Sequence, residues 1–559
     1  MGRSCDEASR SSYLTTPVGC SSLFLYFFVF VSSSSSCLPF ASCLLHLINW
    51  HVGLKLSRAR PLHHRCYFRL LTSLIVLSQS PWFYPSNFFT KKPVEEPLPE
   101  SSPPNPEPQT PPPPSLQPPK TESTDDDVEY WSWPPSPRFH CSSPIQSTTT
   151  PKDDICAPFP THLLSNIQVT LKIGASEPSE RLTAQLTSVS KCIPNLLVAS
   201  DMDSIVDSRT AFDVLADLPP SLQDNNADFD AYHAQKEPLK SGDFNRKGGW
   251  RLDKYKFLPM VEYAHASNPS AEWYVFLESD TFIIWDNLFQ LLDRFDPRVP
   301  LYFGSPSPGR TPPGLPKTWF AYGGAGFVVS AAAVKKLLDR ETGAYGELVK
   351  PGINAQYERD LRGECCGDSM LGWALWEHGV TLSGLFPMFN PHPLRGIPFA
   401  ERFWCQPAIS MHKTRWRRWG RFGNGRCGGM RVPQRPILYA DIAAHIGLGT
   451  FEPRKDWDNA DWDGWQEPDD SPAHKSVDGC ASECRKHGGC FQYTFRRDRC
   501  TFVRSFRLGQ RKDPEGEEDW SEEEKVFHAG WDNVKIKQWM SEHTCEEARW
   551  VKPSTKRIF

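Results

Sequence analysis

Between residues 155 and 449, short apolar runs of strand length alternate with longer segments whose apolar positions recur at helical spacing. Ile167–Ile173, Leu196–Ala199 and Trp273–Leu277 are strand-like runs, whereas Ala331–Leu338 and Met370–Trp376 predict helices. Strands interleaved with helices predict an α/β fold. The pattern differs on either side. Residues 1–90 contain three apolar stretches, Leu23–Val31, Leu38–Leu54 and Cys66–Tyr84, the last interrupted by Arg69. Residues 91–154 have almost no apolar periodicity, and residues 450–559 are rich in Trp, Asp and closely spaced Cys. Four regions follow: a tail with a membrane anchor (1–90), a disordered stem (91–154), a main α/β domain (155–449) and a small cysteine-rich C-terminal domain (450–559).

Composition sharpens this division. The chain has 559 residues, 62 basic against 66 acidic side chains and a formal charge of -4, without the positive field of a dedicated nucleic-acid binder. Its 17 cysteines point to an oxidising compartment or to metal binding. The run beginning at Leu23 is short for a span, which needs about 20 apolar residues. The third stretch follows Arg58, Arg60 and Arg65 and precedes a long polar segment, favouring an anchor with a cytosolic N-terminus. Thirteen prolines among residues 91–120 make that segment an extended spacer.

Candidate chemistry collects at four places in the main domain. In WYVFLESDTFIIWDNL an apolar run ends in Glu278, Ser279 and Asp280. Alternation points both carboxylates to one side of a strand end, where hard divalent ions such as Mg²⁺ or Mn²⁺ can be held. The other reading is an acidic turn closed by Asp280. In FAYGGAGFVVS, Gly323, Gly324 and Gly326 permit close approach to backbone but match neither a Walker loop nor GxGxxG; they also suit a tight helix–strand turn. In ECCGDSMLGWALWEHGV, Asp368 stands at a helix entrance, as an N-cap or as a functional carboxylate. Downstream, His412 precedes a basic run of Lys413, Arg415, Arg417, Arg418 and Arg421. Such a run suits diphosphate, an acidic acceptor, a membrane surface or plain solvation.

In this order the segments resemble the Fringe-like glycosyltransferases of family 31, particularly fungal members, over Ile167–Thr414. The resemblance rests on VTLKIGASE, the VASD ending at Asp201, GWRLDKYKFLPM, FLESDT, FAYGGAGFVVS, CCGDSMLGWAL and SMHK. It implies a GT-A fold and inverting, β-linkage-forming transfer of a hexose or N-acetylhexosamine from a UDP-sugar to a hydroxyl of a glycan or glycoprotein. By the same resemblance Asp280 and His412 hold Mn²⁺ or Mg²⁺ and Asp368 is the catalytic base. Lys172, Asp201, Glu278, Ser279, Gly323 and Gly324 fall on the donor side. Relatives commonly begin the acidic motif with aspartate, whereas this chain has Glu278. That departure admits an alternative, a catalytically silent carbohydrate-binding protein retaining the fold.

The C-terminal Cys480, Cys484, Cys490, Cys500 and Cys545 suit disulfides. Zinc, with His474 and His487 as further ligands, is the rival, disfavoured because no C-x2-C pair occurs. The segment resembles an abbreviated PAN or apple module, which implies a disulfide-bonded domain that binds carbohydrate or protein. Cys365 and Cys366 invite a bridge to Cys405 or Cys427, with pairing open. The whole reads as a single-pass type II membrane protein of the Golgi or secretory pathway, with its catalytic domain luminal and no nucleic-acid partner.

Overall fold

The computed structural model describes residues 128–134, 156, 159, 161–237, 248–413 (apart from 342 and 346) and 435–555. The expected anchor, most of the expected stem, the arginines at 415–421 and Cys427 lie outside the described residues. Among the described residues no helix is long and apolar enough to cross a membrane. All of them fall in one compact unit, Leu116–Phe559.

In chain order the first strands are β1 (Tyr130–Trp131), β2 (Ile167–Lys172), β3 (Leu196–Ser200), β4 (Ser204–Val206), β5 (Arg209–Asp213), β6 (Trp273–Glu278), β7 (Thr281–Ile283) and β8 (Tyr302–Gly304). A short hairpin, β9 (Pro306–Pro308) and β10 (Trp319–Ala321), precedes β11 (Phe327–Ser330), β12 (Ser383–Gly384), β13 (Phe389–Asn390) and β14 (Ser410–His412). Eight of these form a mixed sheet in the order β12-β8-β11-β6-β2-β3-β5-β4. Its centre, β6-β2-β3-β5, is parallel, and β11 runs antiparallel between β6 and β8. The expected α/β class holds, with the mixed sheet of a GT-A-like fold.

The apolar runs form strands because both faces of the sheet are covered. Along β6, Trp273, Val275 and Leu277 join one core layer, while Tyr274 and Phe276 join the other. That second layer is roofed by two helices, α2 (Asp253–Ser267) and α3 (Gly367–Glu377). Gly367 lets them meet, since a Cβ there would lie 2.3 Å from the Phe257 ring. Helix α1 (Ser179–Thr187) follows β2 and buries Leu182 and Leu186 in the first layer.

The C-terminal residues build a five-stranded sheet, β15 (Arg454–Lys455), β21 (His528–Trp531), β18 (Gln492–Arg496), β19 (Arg499–Val503) and β17 (Gly464–Gln466) in spatial order. The pair β16 (Trp457–Asp458) and β20 (Gln510–Arg511) stands beside it. Helix α4 (Val477–Lys486) carries Cys480 and Cys484 one turn apart, and they bond to Cys500 and Cys490. All four C-terminal thiols in this cluster are therefore disulfides, which removes the zinc alternative. Phe506, Leu508, Trp531, Trp550 and Val551 belong to the same core layer as β2 and β6, so this region shares a core with the α/β sheet.

Two expectations change. Within the span read as stem, β1 pairs antiparallel with β22 (Trp550–Val551), and Trp131 and Trp133 pack on Phe295. Aromatic area buried there outweighs the local polar, proline-rich bias. Cys405 bonds to Cys545 rather than to Cys365 or Cys366, and those two bond to each other. Packing of the C-terminal segment brings Cys545 to Cys405.

Candidate functional site

The acidic strand end is built by two pairings. In the parallel ladder β2–β6, Lys172 stands opposite Glu278, and their side chains form an ion pair at 3.1 Å. In the antiparallel ladder β7–β14, His412 stands opposite Thr281, which places its ring beside Asp280. Nε2 of His412 lies 3.3 Å from Asp280 Oδ1, and Arg181 of α1 lies 3.6 Å from Oδ2. One ligand atom from each of Glu278, Asp280 and His412 lies within 4.8 Å of the others. Two carboxylate oxygens and an imidazole nitrogen suit a hard or borderline divalent cation such as Mn²⁺ or Mg²⁺. The Pro391 carbonyl lies 3.3 Å from His412 Nδ1, so a proton on Nδ1 leaves Nε2 facing Asp280. Burial pushes the Asp280 carboxyl up, but His412, Arg181 and Lys413 outweigh it and hold it below the ordinary range.

The glycine turn closes on this group. Thr281 Oγ1 accepts from the Glu278 N–H at 3.0 Å and donates to the Gly324 carbonyl at 2.9 Å. A Cβ on Gly324 would lie 2.5 Å from the His412 ring, and one on Gly323 would lie 2.9 Å from Phe257 and 3.1 Å from Glu278 Oε1. The absence of side chains thus lets the turn lie flat against the cluster. The Tyr322 ring packs edge-on against His412, with centroids 5.4 Å apart.

Asp368 arrives on α3. It is not the N-cap; Cys366 holds that position without a side-chain bond, and Asp368 lies inside the first turn. Its Oδ2 accepts from the Gly323 N–H at 2.8 Å and its Oδ1 from the Ser369 N–H at 2.9 Å. Burial, opposed by these N–H groups and reinforced by Glu278, pushes its pKa up to about 6. The Gly323 N–H links helix entrance, glycine turn and acidic cluster into one constellation.

Lys172 is buried and also pairs with Asp253 at the start of α2. Burial opposes its charge, but the carboxylates of Glu278 and Asp253 prevail and hold the ammonium protonated. Asp201 is fully buried at the end of β3, accepting from the Ala175 N–H at 2.7 Å and facing Lys256 at 3.5 Å. It shapes the loop after β2. Ser279 donates to Glu177, whose other oxygen accepts from the Gly174 N–H at 2.8 Å. All nine sequence-predicted residues therefore lie in or directly behind one region. Sequence reasoning missed Glu177, Arg181, Asp253, Lys256 and Phe257, although Glu177, Asp253, Lys256 and Phe257 sit inside VTLKIGASE and GWRLDKYKFLPM.

Residues 253–380 match the Fringe-like family. A solved structure, that of a glycosyltransferase involved in the glycosylation of the major capsid of PBCV-1, aligns at 14% identity and a TM-score of 0.16, covering 30% of this chain and 62% of that chain. The second likeness is too distant to bear on the chemistry.

Proposed function

Starting from the Fringe-like domain at residues 253–380, we propose that the chain is an inverting glycosyltransferase that moves a hexose or N-acetylhexosamine from a UDP-sugar to a glycan or glycoprotein hydroxyl. The observation that carries this reading is the gathering of Glu278, Asp280 and His412 around the Gly323–Gly324 turn whose N–H holds Asp368. Glu278, Asp280 and His412 would hold Mn²⁺ or Mg²⁺, which when bound offsets negative charge on a nucleotide diphosphate.

The protein's own groups supply the rest. Asp368 takes the proton of the acceptor hydroxyl as that oxygen forms its bond to the anomeric carbon. The bond from that carbon to the diphosphate oxygen breaks on the opposite face, the electron pair leaves with the diphosphate, and configuration inverts. The Gly323 and Ser369 N–H groups fix the carboxylate's orientation before the acceptor arrives. Lys172 holds Glu278 in place from behind. Within the same reading the chain is a type II Golgi or secretory-pathway protein with a luminal catalytic domain, and the disulfides suit that oxidising compartment. The C-terminal region serves as its PAN/apple-like appendage. Calorimetry of the full chain with UDP, with and without Mn²⁺, tests the reading; absence of metal-dependent binding would refute it.

The pKa of about 6 for Asp368 gives a pH dependence. The folded-state value is raised, so the carboxyl is protonated and inactive as a base below it and ionised above it. For this single proton kcat/KM is expected to fall about tenfold per pH unit below that point, and to level off above it. A profile flat down to pH of about 4 would contradict the assignment.

Gly324→Ala is expected to weaken metal-dependent UDP binding about 10–100-fold, because the added methyl displaces the His412 ring. The check is Mn²⁺ titration in the presence of UDP, with thermal melting to separate misfolding from local displacement. Unchanged affinity would show that His412 is not part of the site.

A further inference from the structure

Where the α/β sheet meets the C-terminal strands, the surface holds a half-open cavity of about 340 Å³. One wall is the loop after β13, with His392 and Arg395; the other carries Asp461, Trp462, Gly509 and Gln510. The walls are fastened to each other. The Gly509 N–H donates to the Arg395 carbonyl at 3.0 Å, and Arg395 Nε donates to Gln510 Oε1 at 2.8 Å. Phe399 and Phe506 exchange backbone hydrogen bonds of 2.9 and 3.1 Å nearby.

Behind the cavity, the buried Arg507 guanidinium lies 4.2 Å from the Trp462 ring centroid and 3.2 Å from Asp461 Oδ1. It fixes both side chains before any ligand arrives. The His392 ring stacks with Trp462 at a centroid distance of 6.2 Å and an angle of 21°, giving the cavity an aromatic wall. Asp461 keeps a side-chain exposure of 39%, so its carboxylate remains accessible.

These linings select by chemistry. An anion entering beside Arg395 meets Asp461, and a cation entering beside Asp461 meets Arg395. A neutral, hydroxyl-rich ligand satisfies both, because each hydroxyl donates and accepts. Aromatic rings take the apolar C–H faces of such a ligand. The volume lies near the lower end of small-ligand sites, about 300–1,000 Å³, and has room for about one or two pyranose rings. The cavity also adjoins the candidate catalytic cluster along the chain, since His392 follows Pro391, whose carbonyl faces His412 Nδ1.

We infer that this cavity is a second carbohydrate site, seating the distal part of a neutral oligosaccharide acceptor while its terminal hydroxyl faces Asp368. The acceptor role rests on the glycosyl-transfer reading; the binding itself does not. The test is calorimetry of the full chain with four probes: cellotetraose, maltotetraose, laminaritetraose and mannotetraose. At least one is expected to bind, and Asp461→Asn and Gln510→Ala are each expected to weaken that binding at least about tenfold while leaving UDP binding in Mn²⁺ unchanged. The second variant guards against misfolding in the first, because Asp461 also pairs with Arg507. If no tetrasaccharide binds while UDP binding is intact, or if both variants bind as the wild type does, the cavity proposal is overturned. Tetrasaccharide binding that depends on Asp461 and Gln510 in a chain that never binds UDP would sink the transferase reading and keep the carbohydrate site.

Discussion

Asp368→Asn is expected to lower kcat about 10²–10⁴-fold while leaving the Kd for UDP in Mn²⁺ unchanged. The substitution keeps the volume of the side chain and removes its capacity to take a proton. Asp368 does not belong to the Glu278–Asp280–His412 cluster, so donor binding is not expected to change. Its two oxygens are held by the Gly323 and Ser369 N–H groups, and burial keeps its pKa at about 6. A carboxylate with that value is ionised at neutral pH yet more basic than an exposed aspartate, as general-base work requires. Single-turnover rates and calorimetry on the same preparation separate chemistry from binding. Full transfer by the variant would remove Asp368 from the mechanism; loss of UDP binding alone would make it a structural support of the Gly323 turn.

Asp280→Ala is expected to abolish metal-dependent UDP binding, weakening it by more than about 100-fold, since loss of a direct ligand exceeds the 10–100-fold typical of an outer-shell partner. Neighbours do not compensate. Glu278 is tied to Lys172 at 3.1 Å, and His412 is fixed in β14 opposite Thr281. Removing Asp280 also frees Arg181, 3.6 Å away, whose positive charge then repels the cation. Mn²⁺ binding followed by electron paramagnetic resonance, with and without UDP, reads the effect directly. An affinity within about threefold of wild type would place the metal, and with it the donor diphosphate, elsewhere.

Much of the candidate site was legible because its parts are locally encoded. An apolar strand ending in Glu278, Ser279 and Asp280, a side-chain-free Gly323–Gly324 turn and an acid at the α3 entrance each leave a mark within a few residues. The role of Asp368 within its helix was less legible: the acid that reads as an N-cap lies two residues beyond it, and its oxygens serve Gly323 as well as Ser369. Asp253 looks like an ordinary acidic residue in a first helical turn, and only the packing of α2 on β2 turns it into a partner of Lys172.

Local sequence encodes the alternation of strands and helices, the burial of β6, and the residue types offered at each strand end, whereas the polar half of β2 is buried only by the fold. The encoded features depend on hydrophobic period and local backbone preference, which are written in consecutive residues. Tertiary structure alone decided which distant groups meet. The β7–β14 register puts His412 beside Asp280, the C-terminal fold brings Cys545 to Cys405 and Trp462 to His392, and β22 captures β1 from a segment that reads as spacer. Such meetings arise when whole apolar faces are buried together, and no stretch of sequence carries the positions of both partners.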